Sequence, residues 1–563
     1  MNKLRWQLII LLLTGLVVGV LLIAEQPGER LTPFSTPEPE QGGIYTEALV
    51  GSIQRLNPLF DTYNAADRDV DRLIFSGLVR FDSRGLPTAD LAETWGVSED
   101  GLLYNFTLRE GLKWHDGQDL TAEDIIFTYS FLTEDSDFIP ADLRDFWSGI
   151  EINGEGRQVQ FKLPEPFAPF MDYLALGILP QHLLGALPVD EIVNSPFNLQ
   201  PIGSGPFRFE RAMVEGDQVN GVVLRRFDEY YGQAPFLDQV IFRYYPDSAA
   251  ALAAYQEGQV QGISQIGSDV LQRALIEPQL AIYTGRKPEQ AMVLFNLKNQ
   301  QAAFLEEAEV RRALFMGINR QAIIDRILGS QAIIADGPVF PGTWAYLDGL
   351  KRQGYDPDGA RTLLSESGYI LGEENSTVRA KEGAELAFTL LYPDDDQHKA
   401  VAEALQAYWK DLGVQVDLEP VPYDQLVGER LQSRDFEAAL VDLNFTRSPD
   451  PDPYPFWDSM QATNGQNYTQ WNNKVASEYL EAARVTTDLA ERTRLYRNFQ
   501  VIFTEDLPAL PLYYPVYNYG VSKQVLGVSM GPLVDSSDRF STVTAWHILN
   551  APAASVSTQG SGN

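Results

Sequence analysis

The sequence predicts an α/β protein whose lobes contain mixed sheets, because stretches with helix signals are followed directly by stretches with strand signals. Asp247 is a capping residue for a helix over residues 248–257, and Gly258 ends it before an apolar strand. The same order recurs over residues 397–421, where Gly413 separates a helical pattern from alternating apolar and polar residues. The roughly 500 residues that follow the first 41 exceed what one hydrophobic core holds, so we expect two or three lobes.

The N-terminus carries an export signal. Lys3 and Arg5 precede an apolar run of 17 residues from Leu8 to Ala24, which as a helix covers roughly 26 Å of a bilayer core of ~30 Å. Positive charge before the run keeps the start of the chain inside and directs the remainder outward. The run is either a cleaved signal peptide or a retained anchor. We expect the anchor, because Leu22 is bulky for the position three residues before a cut and the chain has no Cys for lipidation.

The two flanking segments are predicted to lack structure of their own. Residues 25–41 contain four prolines and few apolar side chains, which is typical of an extended linker. The alternative is a remnant left after cleavage of a leader. Residues 551–563 are expected to form a disordered tail.

Composition excludes several classes of function. Hydrophobic residues make up 44% and charged residues 21% of the chain, which is ordinary for a globular protein. The absence of Cys excludes disulfides, thiol nucleophiles and Cys-ligated metals. A net charge of −34 argues against nucleic acid as a partner.

Enzyme motifs do not emerge from the sequence. None of the four His residues has a second His at the spacing of a metal site. Ser204 lies between Gly203 and Gly205 without the spacing of a nucleophile elbow, so it is interpreted as part of a turn. We therefore predict no catalytic residue, no metal site and no cofactor.

Residues 74–129 are the most informative stretch. Short apolar strands, as at 103–108, alternate with Gly-containing turns, and Thr121 with Asp124 three residues on is typical of a helix start. The stretch resembles the signature block of extracytoplasmic solute-binding proteins of the oligopeptide/dipeptide/nickel type, bacterial solute-binding family 5. The matching pieces are GL at 77–78, LAETW at 91–95, DGLLYNFTLREGLKW at 100–114, HDG at 115–117 and LTAEDI at 120–125.

The resemblance continues from position 43 to about position 546. One departure is Gln261, where the family usually has Asp. The further segments that match in family order are GILPQHLL at 177–184, PIGSGPFRF at 201–209, RRFDEYYGQAPFLD at 225–238, VLFNLKN at 293–299, VRRALFMGINRQAI at 310–323, GYDPDGARTLL at 354–364, RDFEAAL at 434–440 and LPLYYP at 510–515.

The resemblance implies a three-lobed fold like the type II periplasmic binding proteins, with a ligand cleft between lobes I and III. Lobe I is discontinuous in this expectation, and lobe II is inserted into it. The expected bounds are 42–77, 200–292 and 515–550 for lobe I, 78–199 for lobe II and 293–514 for lobe III.

Candidate ligand contacts come from aromatic and polar residues in predicted loops. In the resembled peptide binders, the segment matching residues 56–64 contacts ligand. A Pro-rich loop within residues 441–457 is a stiff candidate for a pocket wall. The candidates are Thr62, Tyr63 and Asn64 in the first segment, Asn444, Phe445 and Arg447 in the second, Asn467 and Tyr468 in a G-x-N segment, and Tyr514.

Arg447 raises a question about the ligand. Peptide-binding relatives have an Asp three residues before the Asp-Pro pair, where it holds the α-amino group of the peptide; counted from Asp450, that position is Arg447. A guanidinium cannot pair with an ammonium, so we expect it to orient a carboxylate or sugar hydroxyls. The alternative is an ion pair with Asp450 or Asp452.

The resemblance implies the substrate-binding component of an ABC importer, not an enzyme. Its partners would be a peptide or other medium-sized solute, the permease subunits and, through residues 8–24, the outer face of the membrane, with the chain as a monomer in the periplasm or on the outer face. An exported hydrolase of peptides or glycans and a solute sensor without transport are the alternatives. The solute stays open among peptide, oligosaccharide, opine-like acid and chelated nickel.

Overall fold

The computed structural model describes residues 39–62, 64–136, 138–216, 218–372 and 376–549. The chain divides into two compact units, Met1–Gln41 and Gly42–Asn563, and the description below concerns the second. The predicted anchor over residues 8–24, nearly all of the predicted linker, the predicted tail and Tyr63 lie outside the described residues. Within the described ranges, no helix combines the length and apolar character needed to cross a bilayer.

A helix is followed by a strand at 248–263 and at 396–421, as predicted. The strands are β1 Ile44–Val50, β2 Val79–Phe81, β3 Pro87–Ala89, β4 Ala92–Val97, β5 Leu103–Leu108, β6 Glu151–Glu155, β7 Gln158–Lys162, β8 Phe207–Glu215, β9 Gln218–Arg226, β10 Gln239–Tyr245, β11 Gly262–Ile263, β12 Leu280–Arg286, β13 Glu289–Phe295, β14 Ala332–Ile334, β15 Ile370–Leu371, β16 Arg379–Lys381, β17 Ala384–Glu385, β18 Ala387–Pro393, β19 Gln415–Val421, β20 Ala438–Asn444, β21 Ala509–Ser522, β22 Val525–Leu526 and β23 His547–Ile548.

The helices are mostly short. They are α1 Ala65–Ile74, α2 Ala122–Ser130, α3 Ala141–Ser148, α4 Gln181–Leu184, α5 Val189–Ile192, α6 Ser248–Gln256, α7 Ser268–Leu275, α8 Ala308–Met316, α9 Arg320–Arg326, α10 Pro357–Glu366, α11 Asp396–Asp411, α12 Tyr423–Gln425, α13 Tyr454–Trp457, α14 Gln461–Asn464, α15 Lys474–Val485 and α16 Leu489–Asp506. Segments of 3₁₀-helix lie between them, including Ala168–Ala175 and Ser536–Phe540, and Leu426–Leu431 is a π-helix.

The helix ends follow the local signals in the sequence. The side chain of Asp247 accepts a hydrogen bond from the backbone of Ala250 and so caps α6, as predicted. Thr121 and Asp124 form the predicted capping box of α2. Gly413 follows α11 with a φ of +82°, a left-handed conformation that favours Gly.

A 12-stranded sheet with both parallel and antiparallel pairs runs through the unit, which confirms the predicted mixed sheet. Its main order is β19-β18-β20-β13-β21-β11-β1-β10-β9-β8, with β12 and β14 also paired to β21. Parallel pairs join β1 to β10 and β18 to β19, whereas β20 pairs antiparallel with β13. A separate four-stranded antiparallel sheet has the order β4-β5-β7-β6.

Strand β21 connects the two halves of the large sheet. Residues 509–513 of β21 pair with β13, and residues 516–522 pair with β12. Strands β12 and β13 are themselves joined through Lys287 and Pro288, and the backbone N–H of Lys287 donates to the carbonyl of Pro515 at 2.9 Å. The two chain crossings between the halves therefore lie side by side.

Three large hydrophobic cores surround these sheets, and two smaller clusters of described residues lie around Ala251 and around Phe340. The first core combines residues from 45–75, 131–242 and 517–546, so distant parts of the chain build it. The second core lies within residues 78–178 and includes the four-stranded sheet. The third core, within residues 291–513, is the largest and contains Trp409, Trp457 and Trp471. The names first, second and third core are used below for these sets.

Candidate functional site

A cavity of about 520 Å³ lies where segments from the three cores meet. Its volume falls in the range of sites for organic ligands. The lining comes from residues 58–62, helix α1 and the residues just after it, residues 80–83, residues 132–147, residues 172–177, the loop 446–449 after β20, and residues 531–541.

One part of the wall is apolar. Trp147 from α3 is fully buried and lines the cavity, and the ring of Tyr173 stacks against Phe146 at 4.7 Å between centroids. The indole N–H of Trp147 finds no acceptor among the described residues. The other apolar lining residues are Pro58, Leu59, Phe75, Phe81, Leu132, Leu143, Ala175, Leu176, Pro449, Pro532, Leu533 and Val534.

Another part of the wall is strongly charged. It contains six Asp and four Arg side chains, and three of the Arg residues pair with carboxylates of the lining. The ion pairs within the lining are Arg447–Asp61 at 2.7 Å, Arg68–Asp535 at 2.8 Å and Arg72–Asp538 at 3.6 Å.

Arg447 spans the cavity from the third-core side to the first-core side. The loop that carries it starts where β20 ends, and the backbone N–H of Arg447 donates to the carbonyl of Val534 at 3.1 Å. Its φ of +63° is a left-handed conformation, which is uncommon outside Gly and is typical of functional loops. Its guanidinium Nη2 donates to Oδ2 of Asp61 at 2.7 Å, across 386 residues of chain.

The alternative ion pair of Arg447 with Asp450 or Asp452 is not formed. Arg492 binds Asp450 through two hydrogen bonds of 2.7 and 3.0 Å. Arg484 binds Asp452 at 2.9 Å. Both carboxylates are thus occupied inside the third-core region, which leaves Arg447 for the cavity.

Two buried carboxylates of the lining are incompletely bonded. Asp71 on α1 is 3% exposed, and neither of its oxygens has a hydrogen-bond partner among the described residues. Asp61 is 1% exposed, and its Oδ1 is also without one. Burial raises the pKa of Asp71 well above its usual value, Asp61 adds to the effect, and Arg447 and the Asn57 backbone amide oppose it. Burial likewise raises the pKa of Asp61, although Arg447 opposes that shift.

Asp172 marks the second-core side of the same cavity. Its carboxylate accepts from the backbone N–H of Asp450 at 3.0 Å, which ties the second core to the Pro-rich loop. Burial raises the pKa of Asp172 well above its usual value, and the nearby Asp450 raises it further. Three carboxylates from two cores thus face one cavity under conditions that disfavour a negative charge.

The sequence-predicted residues near position 62 have different placements. Thr62 lines the cavity, and its carbonyl accepts from Arg68 at 2.7 Å. Asn64 caps α1 by accepting from the backbone of Ala66 at 3.0 Å, and its amide also donates to Ser52 and Asp67. Tyr63 lies outside the described residues.

Of the predicted residues on the third-core side, some line the cavity and others do not. Arg447 lines the cavity, whereas Asn444 is exposed and accepts from the backbone of Thr446 at 2.8 Å. Phe445 packs edge-on against Phe340 at 5.0 Å between centroids. Both lie at the end of β20, immediately before the loop that reaches the cavity.

Asn467, Tyr468 and Tyr514 are buried away from this lining in the described part of the chain. The amide of Asn467 donates to the carbonyls of Asp458 and Trp471, so it braces a loop. The guanidinium of Arg434 lies 4.9 Å from the ring centroid of Tyr468. The hydroxyl of Tyr514 donates to the carbonyl of Gly337 at 3.1 Å. Their contact with ligand stays a prediction.

Sequence reasoning did not single out Asp61, Asp71, Asp172 or Trp147. Asp61 lies inside the candidate ligand-binding segment 56–64, but the predicted contacts in that segment are Thr62, Tyr63 and Asn64. The available signal for Asp71 was its place in a helix with three Asp residues, where burial of one face necessarily buries acids. The sequence does not show that Arg447 lies beside these acids, because it is hundreds of positions away.

A second cavity of about 350 Å³ lies beside the crossing of β12–β13 and β21. Lys287, Glu289 and Asp442 contribute its charges. The hydroxyl of Tyr513 lines it and has no hydrogen-bond partner among the described residues. We place the candidate site in the larger cavity, because segments of all three cores converge there.

Metal binding by the protein alone is not indicated at either cavity. The described residues contain no group of three or more His, Asp or Glu side chains arranged to hold a metal ion. Of the four His residues, His115 is buried and both of its ring nitrogens are bonded to backbone groups of Gly203 and Gly205.

Comparison with known proteins gives a consistent result. Residues 87–467 match the family model described as bacterial extracellular solute-binding proteins, family 5 middle. The oligopeptide-binding protein AppA of Bacillus subtilis is 27% identical, in an alignment covering 93% of this chain and 97% of AppA. The dipeptide-binding protein of Escherichia coli K12 is 27% identical over 79% of this chain and 84% of that protein.

Solved structures show the same architecture. The structure of Bacillus subtilis AppA in complex with a nonapeptide is 26% identical and has a TM-score of 0.67, covering 91% of this chain and 100% of AppA. The likeness spans 91% of this chain. It confirms the predicted three-lobed fold of the type II periplasmic-binding-protein kind.

Proposed function

Because the chain belongs to family 5 of the bacterial extracellular solute-binding proteins, we propose that it captures a peptide or a similar medium-sized solute and delivers it to the permease of an ABC importer. The family consists of substrate-binding proteins rather than enzymes, and its members work outside the cytoplasm. The curated relatives described above bind oligopeptides and dipeptides by name. A peptide-like ligand is therefore the first class to test.

The observation that carries the proposal is the Arg447–Asp61 contact across the cavity. It joins the loop after β20 to the segment before α1 at 2.7 Å, and a 520 Å³ cavity lies beside it. A ligand in that cavity would touch segments of all three cores at once. A ligand that makes more favourable contacts in the closed arrangement than in the open one stabilises the closed arrangement.

The paired chain crossings at residues 287 and 515 support a hinge. Only these two neighbouring stretches carry the described backbone of the large sheet from one half to the other. Closure of two lobes around ligand commonly uses a few connecting residues that absorb the dihedral change. We propose lobe bounds near 42–77, 200–292 and 515–550 for lobe I, 78–199 for lobe II and 293–514 for lobe III, with this crossing as the hinge.

The energetic demand on the site is modest. A micromolar ligand requires a binding free energy of about −8 kcal/mol. Burial of an apolar side chain against the wall near Trp147, together with hydrogen bonds to the charged wall, is of that order. The chain makes and breaks no covalent bond in this proposal, and the permease responds to the fraction of the protein that is closed.

Partners and location complete the proposal. We expect the protein to act as a monomer at the outer face of the plasma membrane or in the periplasm, tethered through residues 8–24. The alternative from the sequence, a hydrolase of peptides or glycans, is addressed by mass spectrometry of a bound ligand before and after prolonged incubation. Recovery of an unchanged ligand is the expected result.

The mechanism is tested by small-angle X-ray scattering with a ligand found by thermal-shift screening of peptide pools. Saturation should reduce the radius of gyration, because closure brings the lobes together. A compound from the same pools that gives no thermal shift is the control and should leave the radius unchanged. A protein that binds tightly and never compacts would contradict the mechanism.

A further inference from the structure

The larger cavity contains three buried carboxylate oxygens that accept no hydrogen bond of good geometry from the described residues, although the backbone amide of Asn57 lies near enough to Asp71 to lower its pKa. They are both oxygens of Asp71 and Oδ1 of Asp61. The two residues are 3% and 1% exposed, and both line the 520 Å³ cavity. Buried polar groups in folded proteins are nearly always bonded, so three such acceptors facing one cavity require an explanation.

The arginines that line the cavity near these oxygens are committed elsewhere. Arg447 donates to Asp61, but to its other oxygen, Oδ2. Arg68 contacts Asp535 and the carbonyls of Asp61 and Thr62, and Arg72 contacts Asp538. The fourth arginine of the lining, Arg80, is exposed and makes no hydrogen bond to these oxygens in the described part of the chain. The three acceptors therefore need donors that these arginines do not supply.

The chemistry of the missing donor follows from the acceptors. An ammonium has three N–H donors and a guanidinium has five, and neither has an acceptor that would need a partner of its own. A cation also gains more from a carboxylate than a neutral amide or hydroxyl does. A donor-only cationic group is thus the best complement to three clustered carboxylate oxygens.

We propose that Asp71, together with Oδ1 of Asp61, forms the binding site for a cationic group of the ligand, either an ammonium or a guanidinium. The inference rests on the proposed function, since it assigns a ligand class to the same cleft. The apolar wall near Trp147 and Leu143 would take the uncharged part of that ligand. Asp71 and Asp61 are binding residues in this proposal.

The electrostatics agree with the geometry. Burial raises the pKa of Asp71, and the carboxylates of Asp61 and Asp67 raise it further. A ligand cation would oppose the part of this shift that comes from the neighbouring carboxylates. Arg447 opposes the shifts of both residues, but it remains with Asp61 and leaves Asp71 without a hydrogen bond.

The test compares capped peptides that differ only in one charge. N-acetyl-Ala-Arg-Ala-amide against its citrulline analogue tests a side-chain guanidinium, and Ala-Ala-Ala-amide against its N-acetyl form tests a terminal ammonium. Agmatine is a third probe that contains no peptide bond. Binding to the full chain is measured by isothermal calorimetry, and circular dichroism verifies the fold of each variant.

We expect at least one cationic member of a pair to bind wild-type protein ten times more tightly than its neutral partner. Asp71→Asn should abolish this preference while neutral-peptide affinity changes less than threefold. Asp67→Asn is the matched control, because it removes the same charge from the same helix, and Asp67 bonds the backbone of Gln54 and Arg55. It should retain most of the preference.

The outcomes separate this inference from the proposed function. Equal affinities within both peptide pairs, a preference that survives in Asp71→Asn, or an equal loss in Asp67→Asn would each overturn the cation site. Neutral peptides that bind and compact the protein would still support the receptor function. Agmatine binding that depends on Asp71, with no peptide bound, would support the cation site and contradict the peptide class. Failure of every cationic probe to bind overturns the inference.

Discussion

Asp69 and Asp71 lie two positions apart on helix α1 and are both buried, but they differ in whether their carboxylates are hydrogen-bonded. Asp69 accepts from Arg539 at 2.6 Å through one oxygen and at 2.8 Å through the other. Asp71 lines the cavity, and neither of its oxygens is bonded in the described part of the chain. The protein supplies a counterion for the first carboxylate and leaves the second one open, which separates a structural charge from a binding charge.

The cluster around Asp69 is complete in every atom. Arg539 is fully buried and binds both Asp69 and Glu47. The second oxygen of Glu47 accepts from the hydroxyls of Tyr45 and Tyr519 at 2.7 and 3.0 Å. Such a network holds the ends of the chain together within the first core, since Glu47 and Arg539 are 492 residues apart.

The cluster around Asp71 is built across the cleft instead. Arg447, whose side chain is 40% exposed, reaches the neighbouring carboxylate of Asp61 from the loop after β20. A contact of this kind can open without disturbing any core. The comparison implies that the two clusters respond differently to mutation, the first in stability and the second in binding.

The largest effect is expected from removal of the core cation. Arg539→Met leaves Glu47 and Asp69 buried without a counterion, which should lower the free energy of unfolding by about 3–5 kcal/mol. Arg447→Met is the matched change in the cleft and should cost less than about 1 kcal/mol, because Asp61 can regain water when the cleft opens. Urea unfolding followed by tryptophan fluorescence measures both. Equal losses of stability in the two variants would contradict the distinction between the core cluster and the cleft cluster.

Asp69 and Asp71 provide a second test of the same contrast. Burial raises the pKa of Asp69 to about 6, so at pH 7 it is ionised and paired with Arg539. Asp69→Asn should therefore destabilise the protein by about 3 kcal/mol. Asp71→Asn replaces a buried carboxyl group that has no hydrogen-bond partner among the described residues, and we expect unchanged stability or a gain of up to about 1 kcal/mol. Thermal unfolding at pH 7 compares them, and a loss of stability in Asp71→Asn would show that its carboxylate has a structural partner.

The third prediction concerns His115, a buried titratable group that the protein satisfies completely. Its Nδ1 accepts from the backbone N–H of Gly203 at 3.2 Å, so its Nε2 carries the proton and donates to the carbonyl of Gly205 at 3.0 Å. A Cβ at Gly203 or Gly205 would overlap the carbonyls of Ile74 and Leu73, which fixes the turn against α1. Burial lowers the pKa of His115 to about 4.

The pH dependence follows from that shift. As pH falls below the ordinary pKa of about 6.5, the unfolded chain takes up the proton first, so the stability from His115 is present above pH 6.5 and is lost as pH falls toward 4. We expect this residue to account for a loss of about 2 kcal/mol between pH 7 and pH 5. His115→Gln should remove that part of the pH dependence, whereas His182→Gln, a partly exposed control, should keep it. An identical profile in both variants would contradict the assignment.

Local features of the fold could be predicted from the sequence because their causes are local. Asp247 and Thr121 cap helices within three residues, and the apolar run before Asn444 becomes the buried strand β20. The order of helices and strands predicted mixed sheets for the same reason. The pairing of β21 with both halves of the large sheet could not be obtained this way, since it joins residues more than 200 positions apart.

The candidate site was predicted only in part, because its contacts depend on how the cores approach one another. Thr62 and Arg447 were chosen from their loops, and both line the cavity. The ion pair of Arg447 with Asp61 was not foreseen, since nearer acids at 450 and 452 were more obvious partners in sequence. Asp71 was missed because a helical Asp is usually solvated, and only the packing of α1 shows that this one is buried.

The smallest effect concerns Asn64, which was predicted as a ligand contact and also caps α1. Its side chain accepts from Ala66 at 3.0 Å, so Asn64→Ala should lower the free energy of unfolding by about 1 kcal/mol. Asn64→Ser keeps an acceptor at the cap and should restore most of that loss. Urea unfolding measures the cap, and calorimetry with a bound peptide measures the contact. Weaker binding in both variants would identify a ligand contact separate from the cap, whereas loss of stability in Asn64→Ser equal to that in Asn64→Ala would contradict the cap.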